Sequence, residues 1–280
     1  MTYTTRFAPS PTGLLHLGHA YSALVAAGRA EARGGSFLLR IEDIDTARCK
    51  PEFEAAILAD LAWLGLSWEE PILRQSEGRP AYDAALDRLA EMGVCYPCRC
   101  SRSDIRAALS APQEGVAGPD GPVYPGTCRG RPMSEATPRE AIRLDMEHAL
   151  DLLNGVPGFE ETGPGLAGHH QPARAEMLQG VGDIVLARRD IGTSYHVAVV
   201  VDDAAQGITE VVRGQDLFSA TPIHRVLQAL LGLPEPAYHH HRLIRDEAGR
   251  RLAKRDDARA IRHYRDSGLS PDQVRALVGL

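Results

Sequence analysis

Residues 6–20 read RFAPSPTGLLHLGHA, where two prolines, two glycines and two histidines surround the start of a predicted helix. The prolines and Gly13 favour a rigid, non-helical entry, because proline fixes its own φ and lacks an N–H donor. A helix N-terminus offers unpaired N–H groups and positive potential, which suit a phosphate. His16 and His19 share one helix face and would add two donors to the same anion, while Gly18 lets a ligand approach the backbone. The segment therefore predicts a site for ATP phosphates that uses no Walker lysine.

Strand and helix patterns alternate on both sides of a long interruption. Residues 36–41 form a short apolar strand pattern, and residues 51–65 and 79–93 have the apolar spacing of amphipathic helices. Past the interruption, the apolar run YHVAVVVDD at 195–203 predicts a strand, and Thr221 is placed to cap a helix. This alternation predicts an α/β fold with a parallel sheet that the interruption divides in two.

The interruption begins at about Cys95 and is rich in glycine and proline, as in APQEGVAGPDGPVYPG and GFEETGPGLAGHHQPA. Only weak strand patterns such as EAIRLD occur in it. We interpret it as an insertion with its own small fold, stabilised by something other than a large hydrophobic core.

The cysteines of this insertion suggest what stabilises it. Cys98 and Cys100 stand two residues apart, so on a strand or turn both thiols point to the same side. Cys128 supplies a third thiol, and structural zinc takes four ligands in tetrahedral geometry. Tyr124 and Cys95 are both candidates for the fourth ligand. The spacing predicts one structural Zn²⁺, which would let so irregular a segment fold; the alternative is a chance cluster of unliganded thiols.

Composition excludes several classes of protein. With 44% hydrophobic and 24% charged residues the chain is globular in type, and its net charge of −6 argues against binding nucleic acid through charge alone. No apolar run approaches the ~20 residues of a membrane span. The first residues also lack the charged-then-apolar pattern of a signal peptide. We therefore expect a cytoplasmic protein without a membrane partner.

Five segments together resemble class I aminoacyl-tRNA synthetases, and the longer match is to the glutamate-specific branch. They occur in the order and approximate spacing of that branch and cover essentially the whole chain. The segments are RFAPSPTGLLHLGHA, LLRIEDID, YHVAVVVDD, EVVRGQDL and RRLAKR. The resemblance implies a Rossmann-type class I catalytic domain with a zinc-containing insertion.

The resemblance also assigns functions to individual residues. It implies a glutamate site formed by Arg6, Ser10, Glu42, Tyr195 and Arg213. In this site arginine would bind a carboxylate of the substrate, and Glu42 would bind its α-ammonium group. It implies an ATP site, with Mg²⁺ on the phosphates, formed by His16, Gly18, His19 and Lys254. Of these residues, His16, His19 and Lys254 would be catalytic. Without the neighbouring segments, Glu42 would be interpreted as part of a solvated acidic loop and Arg213 as a surface residue at a strand end.

The chain further resembles the glutamyl-Q tRNA(Asp) synthetases, a shortened branch of this family. A complete glutamyl-tRNA synthetase continues into an anticodon-binding domain, whereas only about 25 residues follow RRLAKR here. That branch activates L-glutamate with ATP and transfers it to queuosine in the anticodon of tRNA(Asp). Its zinc signature, a C-x-C pair followed by Y-x-x-x-C, favours Tyr124 as the fourth ligand. We expect a monomer without an anticodon-binding domain.

Four divisions of the chain follow from this resemblance. Residues 1–94 would be the first half of the catalytic domain, 95–190 the insertion with the zinc site, 191–250 the second half, and 251–280 a KMSKS-like loop with a short C-terminal helix. The loop departs from the family pattern, because Ala253 stands where a serine is usual.

Other functions are compatible with parts of the sequence. A compact glutamyl-tRNA synthetase would acylate a tRNA 3′ end instead of a modified base. A small-molecule nucleotidylyltransferase could share the histidine-bearing helix entry, and a non-catalytic zinc module could bind nucleic acid without ATP.

Overall fold

The computed structural model describes residues 2–109, 117–119, 121–245 and 260–280. The strands of these residues are β1 Thr4–Phe7, β2 Ser36–Ile41, β3 Glu69–Arg74, β4 Cys95–Cys98, β5 Ala117–Gly118, β6 Gly121–Pro122, β7 Ala141–Leu144, β8 Phe159–Glu161, β9 Gly168–His170, β10 Val185–Ala187, β11 Glu210–Gly214 and β12 Ala237–His241. The α-helices are α1 Leu17–Glu31, α2 Pro51–Trp63, α3 Arg79–Glu91, α4 Arg102–Leu109, α5 Met146–Leu152, α6 Arg174–Glu176, α7 Tyr195–Ala205, α8 Thr221–Leu231, α9 Ile261–Asp266 and α10 Pro271–Leu277.

Five parallel strands form the centre of the molecule. β1, β2 and β3 pair in that order, and β11 pairs with β12. β1 lies beside β11 without a regular ladder: the N–H of Thr209 donates to the carbonyl of Thr4 (2.9 Å), and further along, the Arg6 guanidinium reaches the carbonyl of Val212. The resulting order, β3-β2-β1-β11-β12, is the 3-2-1-4-5 order of a Rossmann sheet.

Helix α1 packs against β1 through small side chains. Ala20, Ala23, Ala26 and Ala30 are buried on it and share a core with β1 and β2. Small residues let the helix backbone approach the sheet closely. The N-terminal end of α1 is thereby fixed beside the carboxyl end of β1, where residues 8–16 connect the two.

The run at 195–203 is a helix, and the predicted strand there is wrong. Ser194 caps α7 by accepting a hydrogen bond from the Val197 N–H. The helix is buried on most of its surface, and a buried helix has the same continuous apolar pattern as a buried strand. Because 195–203 is helical, Asp202 and Asp203 lie in the last turns of α7 and point into the protein.

Helix α8 begins at Thr221, the residue predicted to cap it, and so starts one residue earlier than expected. Its N-cap is Ala220, which makes no side-chain hydrogen bond, and Thr221 lies within the helix. The Thr221 hydroxyl instead accepts from Arg213 at 2.8 Å. Gly232 ends the helix with a left-handed backbone conformation, as expected.

Strands of the segment 95–190 belong to three different sheets, the smallest of which is the antiparallel pair of β5 and β6. β4, β7 and β10 form a small antiparallel sheet, whose core is shared with α3, α5, α7 and α8. β8 instead pairs in parallel with β12 and carries β9 as an edge strand, so the central sheet continues into this segment. The division of the chain at 95 and 190 stays a prediction.

Candidate functional site

A cleft of about 450 Å³ opens at the carboxyl ends of β1, β2, β11 and β12. This is the point where the strand order reverses between β1 and β11, and ligands of open α/β sheets bind at such a point. Its lining includes most of the residues that the sequence pattern predicts for the site. These are Arg6, Ser10, His16, Gly18, His19, Glu42, Tyr195 and Arg213.

The two histidines of the first motif shape the beginning of α1. The His16 ring caps the helix by accepting from the Gly18 N–H at 3.1 Å, and the His19 ring accepts from the His16 N–H at 3.1 Å. Both bonds use Nδ1, so in each neutral ring Nε2 carries the proton and is a donor. The rings stack with centroids 3.8 Å apart. A side chain on Gly18 would press against the His16 ring, since a Cβ would lie 3.0 Å from its Cε1 atom.

A buried network of charges underlies the floor of the cleft. Arg6 donates to both carboxylate oxygens of Asp203 at 2.8 and 3.2 Å. Arg40 is completely buried and donates to Asp203 at 2.6 Å and to Glu42 at 3.2 Å. Burial alone would raise the pKa of Asp203, but the positive charges of Arg6 and Arg40 outweigh it and hold that pKa below its usual value. The charge of Arg6 is thus compensated within the protein.

Glu42 belongs to the same network and also faces the cleft. Its Oε1 accepts from Arg40, and the structure gives its Oε2 no hydrogen-bond partner within the described residues. The side chain keeps 11% of its surface exposed. Burial raises the pKa of Glu42, and the charges of Arg40 and Arg6 oppose that rise. A carboxylate with one oxygen turned to a cleft is suited to a primary ammonium group.

Arg213 lies across the cleft in a different environment. It is buried, and its guanidinium donates to His240 Nε2 at 3.0 Å, His224 Nδ1 at 3.1 Å and Thr221 Oγ1 at 2.8 Å. A further hydrogen bond goes to the Leu217 carbonyl at 3.2 Å. Each of these acceptors is uncharged when the histidines are neutral.

A second, larger cavity of about 1170 Å³ adjoins the cleft. Ser10, Glu42 and Tyr195 line both spaces. The larger cavity extends from the end of β2 to the cysteine cluster, and arginines on its walls include Arg48 and Arg188. A larger molecule in this second cavity could therefore contact a small molecule bound in the cleft.

The cysteine cluster has the dimensions of a zinc site. The thiols of Cys98, Cys100 and Cys128 lie within 4.8 Å of one another, and the Tyr124 hydroxyl is 3.4 Å from both Cys98 Sγ and Cys100 Sγ. Tetrahedral zinc with ordinary bond lengths would separate two sulfurs by about 3.8 Å and a sulfur from an oxygen by about 3.6 Å. The Cys100 and Cys128 sulfurs are 3.6 Å apart. Burial raises the pKa of Cys128, but hydrogen bonds with Tyr124 and the backbone of Arg99 outweigh it and bring it to about 7. The donors present fit zinc.

Cys95 lies elsewhere. Its side chain packs in the core with Leu89 and Leu144, and burial raises its pKa to about 12. It is not one of the thiols that lie together in the described part of the chain.

One predicted site residue lies outside the described residues, and several residues beside the cleft were not predicted. Lys254 lies outside the described residues, so its predicted function is not tested. Sequence patterns did not identify Arg40, Asp203, His224 or His240. The sequence pattern contains no signal for Asp203, because acidic residues after an apolar run can equally be exposed; its burial follows from the fold.

No α-helix within the described ranges is long and apolar enough to cross a lipid bilayer.

The chain is similar to known proteins along nearly its whole length. A family model described as the catalytic domain of class I tRNA synthetases (E and Q) matches residues 2–280. A glutamyl-Q tRNA(Asp) synthetase of Rhodobacter capsulatus is 60% identical over 280 residues, which cover 99% of this chain and 99% of that protein. One from Nocardia farcinica is 44% identical, over 98% of this chain and 82% of its own length.

A solved structure gives a similar result. The crystal structure of a glutamate tRNA ligase from Elizabethkingia meningosepticum in complex with its amino acid matches 100% of this chain with a TM-score of 0.79 at 26% identity. The present chain covers 61% of the length of that structure.

Proposed function

Because this chain belongs to the class I tRNA synthetases, in the branch of the glutamyl-Q tRNA(Asp) synthetases, we propose that it activates L-glutamate with ATP and transfers it to queuosine in tRNA(Asp). The observation that carries the proposal is the arrangement of charges in the cleft. A carboxylate, Glu42, and a guanidinium that has no carboxylate partner among the described residues, Arg213, both line the cleft, beside a helix N-terminus.

The glutamate would lie between Glu42 and Arg213. The open Oε2 of Glu42 is suited to the α-ammonium, and the cationic Arg213 to the side-chain carboxylate. Arg6 is held by Asp203, so its remaining N–H groups support the same end of the substrate with less net charge. Ser10 and Tyr195 complete the walls of this pocket.

The ATP phosphates would lie at the beginning of α1. The first N–H groups of α1, together with the Nε2 donors of His16 and His19, form a preorganised anion site beside Gly18. Class I synthetases use Mg²⁺ with ATP, and the ion would neutralise part of the phosphate charge. Lys254 is proposed to reach the same phosphates from the loop at 251–255.

The reaction has two steps. An oxygen of the glutamate α-carboxylate attacks the α-phosphorus of ATP, the bond to the β-phosphate oxygen breaks, and pyrophosphate leaves. Donors from His16, His19 and Lys254 stabilise the negative charge that develops in this step. A hydroxyl of queuosine then attacks the activated carbonyl, AMP leaves with the bonding electron pair, and the hydroxyl proton is released to solvent. Positioning and electrostatics account for both steps without a covalent protein nucleophile.

The larger cavity is suited to the acceptor. It meets the cleft at Ser10, Glu42 and Tyr195, so an RNA base inserted from this side would reach an activated carboxyl group. Zinc held by Cys98, Cys100, Tyr124 and Cys128 would stabilise the wall of this cavity that carries α4. Its proposed function is structural, since the cluster does not line the cleft where the reaction would occur, although Cys100 and Tyr124 line the larger cavity.

Two assays test the proposal. The protein should catalyse glutamate-dependent exchange of pyrophosphate into ATP without tRNA, and labelled glutamate should become attached to the queuosine nucleotide of tRNA(Asp). Label at the 3′ end of tRNA(Glu) would instead indicate a compact aminoacylating synthetase. Exchange that does not depend on glutamate would contradict the proposed substrate.

A further inference from the structure

The two buried arginines of the cleft are held by opposite kinds of partner. Arg6 forms a two-pronged ion pair with Asp203. Arg213 has no carboxylate within hydrogen-bonding distance among the described residues, although it is almost equally buried. A buried arginine usually has an acidic partner, because an uncompensated charge in a protein interior is costly. The exception at Arg213 therefore needs an explanation.

A chain of hydrogen bonds fixes the histidines beside Arg213 in their neutral forms. An arginine can only donate, so His240 Nε2 and His224 Nδ1 must both be acceptors. The other nitrogen of each ring then carries the proton. His240 Nδ1 donates to the Glu161 carboxylate, and His224 Nε2 donates to His196 Nδ1 at 3.0 Å.

Burial and neighbouring charge keep both rings neutral. Burial lowers the pKa of His224 well below its ordinary value, and the charge of Arg213 lowers it further. Burial also lowers the pKa of His240, more than its bond to Glu161 raises it. Neutral acceptors can orient a guanidinium without cancelling its charge. Four of the five N–H groups of Arg213 are occupied in this way, which leaves one N–H of Nη1 and the net charge of the group.

We propose that His224 and His240 are positioning residues that orient Arg213 without placing a carboxylate in contact with it, so that the pocket selects a side-chain carboxylate over an amide. The inference rests on the proposed activation of glutamate and deepens it. A carboxylate substrate would supply the missing counter-charge in a site of low dielectric constant, where a charge pair is worth far more than in water. The amide of glutamine has nearly the same shape but no charge, so it would leave Arg213 buried and unpaired.

A matched pair of substitutions separates charge from shape at position 224. In His224→Gln the new oxygen can accept from Arg213 and the new NH₂ group can donate to His196. His224→Glu has the same shape, but its carboxylate would pair with Arg213 and neutralise it. We expect the KM for glutamate in pyrophosphate exchange to be at least tenfold higher in H224E than in H224Q. The KM for ATP should differ by less than twofold between the two variants.

A second readout reports selectivity. The ratio of kcat/KM for glutamate to that for glutamine should fall at least tenfold from H224Q to H224E. The melting temperature of H224E should not lie below that of H224Q, since its new carboxylate has a cationic partner. A purely structural function of His224 would change both KM values together with the melting temperature. The shorter pair H224N and H224D repeats the comparison if either longer variant fails to fold.

The outcomes separate this inference from the proposed function. Equal glutamate KM values within twofold in the charged and neutral variants would overturn the inference, even if the wild-type protein activates glutamate. Absence of glutamate-dependent exchange in the wild-type protein would overturn the proposed function itself.

Discussion

Glu210 lies at the amino end of β11, whereas the cleft lies at the carboxyl ends of the strands. Its carboxylate accepts from Arg29 at 2.6 and 2.7 Å, from Thr162 at 2.9 Å and from the Tyr3 hydroxyl. Burial alone would raise the pKa of Glu210, but these hydrogen bonds and the charge of Arg29 lower it from 4.5 to about 2. Replacement of Glu210 by glutamine therefore removes a group whose ionised form the folded state strongly favours.

The expected loss of stability follows from that pKa. Each tenfold change in acid dissociation is worth about 1.4 kcal/mol, so a fall from 4.5 to about 2 stabilises the folded state by about 3 kcal/mol at pH 7. Because the folded pKa is the lower one, this contribution is complete above about pH 4.5 and is lost as the pH falls towards about 2. The free energy of unfolding of E210Q should therefore be about 3 kcal/mol lower than that of the wild-type protein at pH 7. This difference should fall to about half at pH 3.

Urea denaturation of both proteins between pH 7 and pH 3 measures this difference. Glu160 provides a matched control, because it is exposed and pairs only with the exposed His169 in the described structure. E160Q should change the free energy of unfolding by less than about 0.5 kcal/mol. A difference for E210Q below 1 kcal/mol at pH 7, or one that does not shrink with falling pH, would refute the reasoning.

Three further predictions test other parts of the structure. In His16→Asn the side chain can still cap α1, so stability should change by less than about 1 kcal/mol while pyrophosphate exchange slows by about 100-fold; an unchanged exchange rate would exclude His16 from phosphate binding. Tyr124→Phe should weaken zinc binding by at least about tenfold in competition with a chelator, whereas Cys95→Ser should not; the reverse pattern would assign the fourth position to the cysteine. In Gly163→Ala the new Cβ would lie 2.3 Å from the carbonyl oxygen of His240, so we expect a loss of about 1–3 kcal/mol in urea denaturation, and wild-type stability would show that β12 can yield there.

Much of the fold could be predicted because its local patterns are unambiguous. The spacing of apolar residues predicted α2 and α3, and the proline- and glycine-rich entry predicted the start of α1. The family comparisons confirm the predicted class I fold and the predicted membership of the glutamyl-Q tRNA(Asp) synthetase branch. The strand predicted at 195–203 is wrong, since a fully apolar run does not distinguish a buried helix from a buried strand.

The partners of the site residues could not be predicted from local patterns. Arg6 and Asp203 are 197 positions apart in the chain, and only the folded sheet brings them together. Thr221 was expected to cap a helix, but its hydroxyl binds Arg213. The functions of the individual site residues, including Lys254, stay predictions, as does the identity of the fourth zinc ligand.

The contact between Arg6, Arg40 and Asp203 has a consequence for synthesis of the chain on the ribosome. The first half of the sheet emerges with two arginines whose shared carboxylate is still 163 and 197 residues away. A nascent chain that ends before α7 already contains His16, His19 and Glu42, but it lacks the counter-charge that closes the sheet between β1 and β11. Such an intermediate would have to keep the Arg6 guanidinium in water, because burying it unpaired would be costly, whereas Arg40 already has Glu42 as a partner. The cleft between β1 and β11 can therefore form only after the second half of the chain has been made.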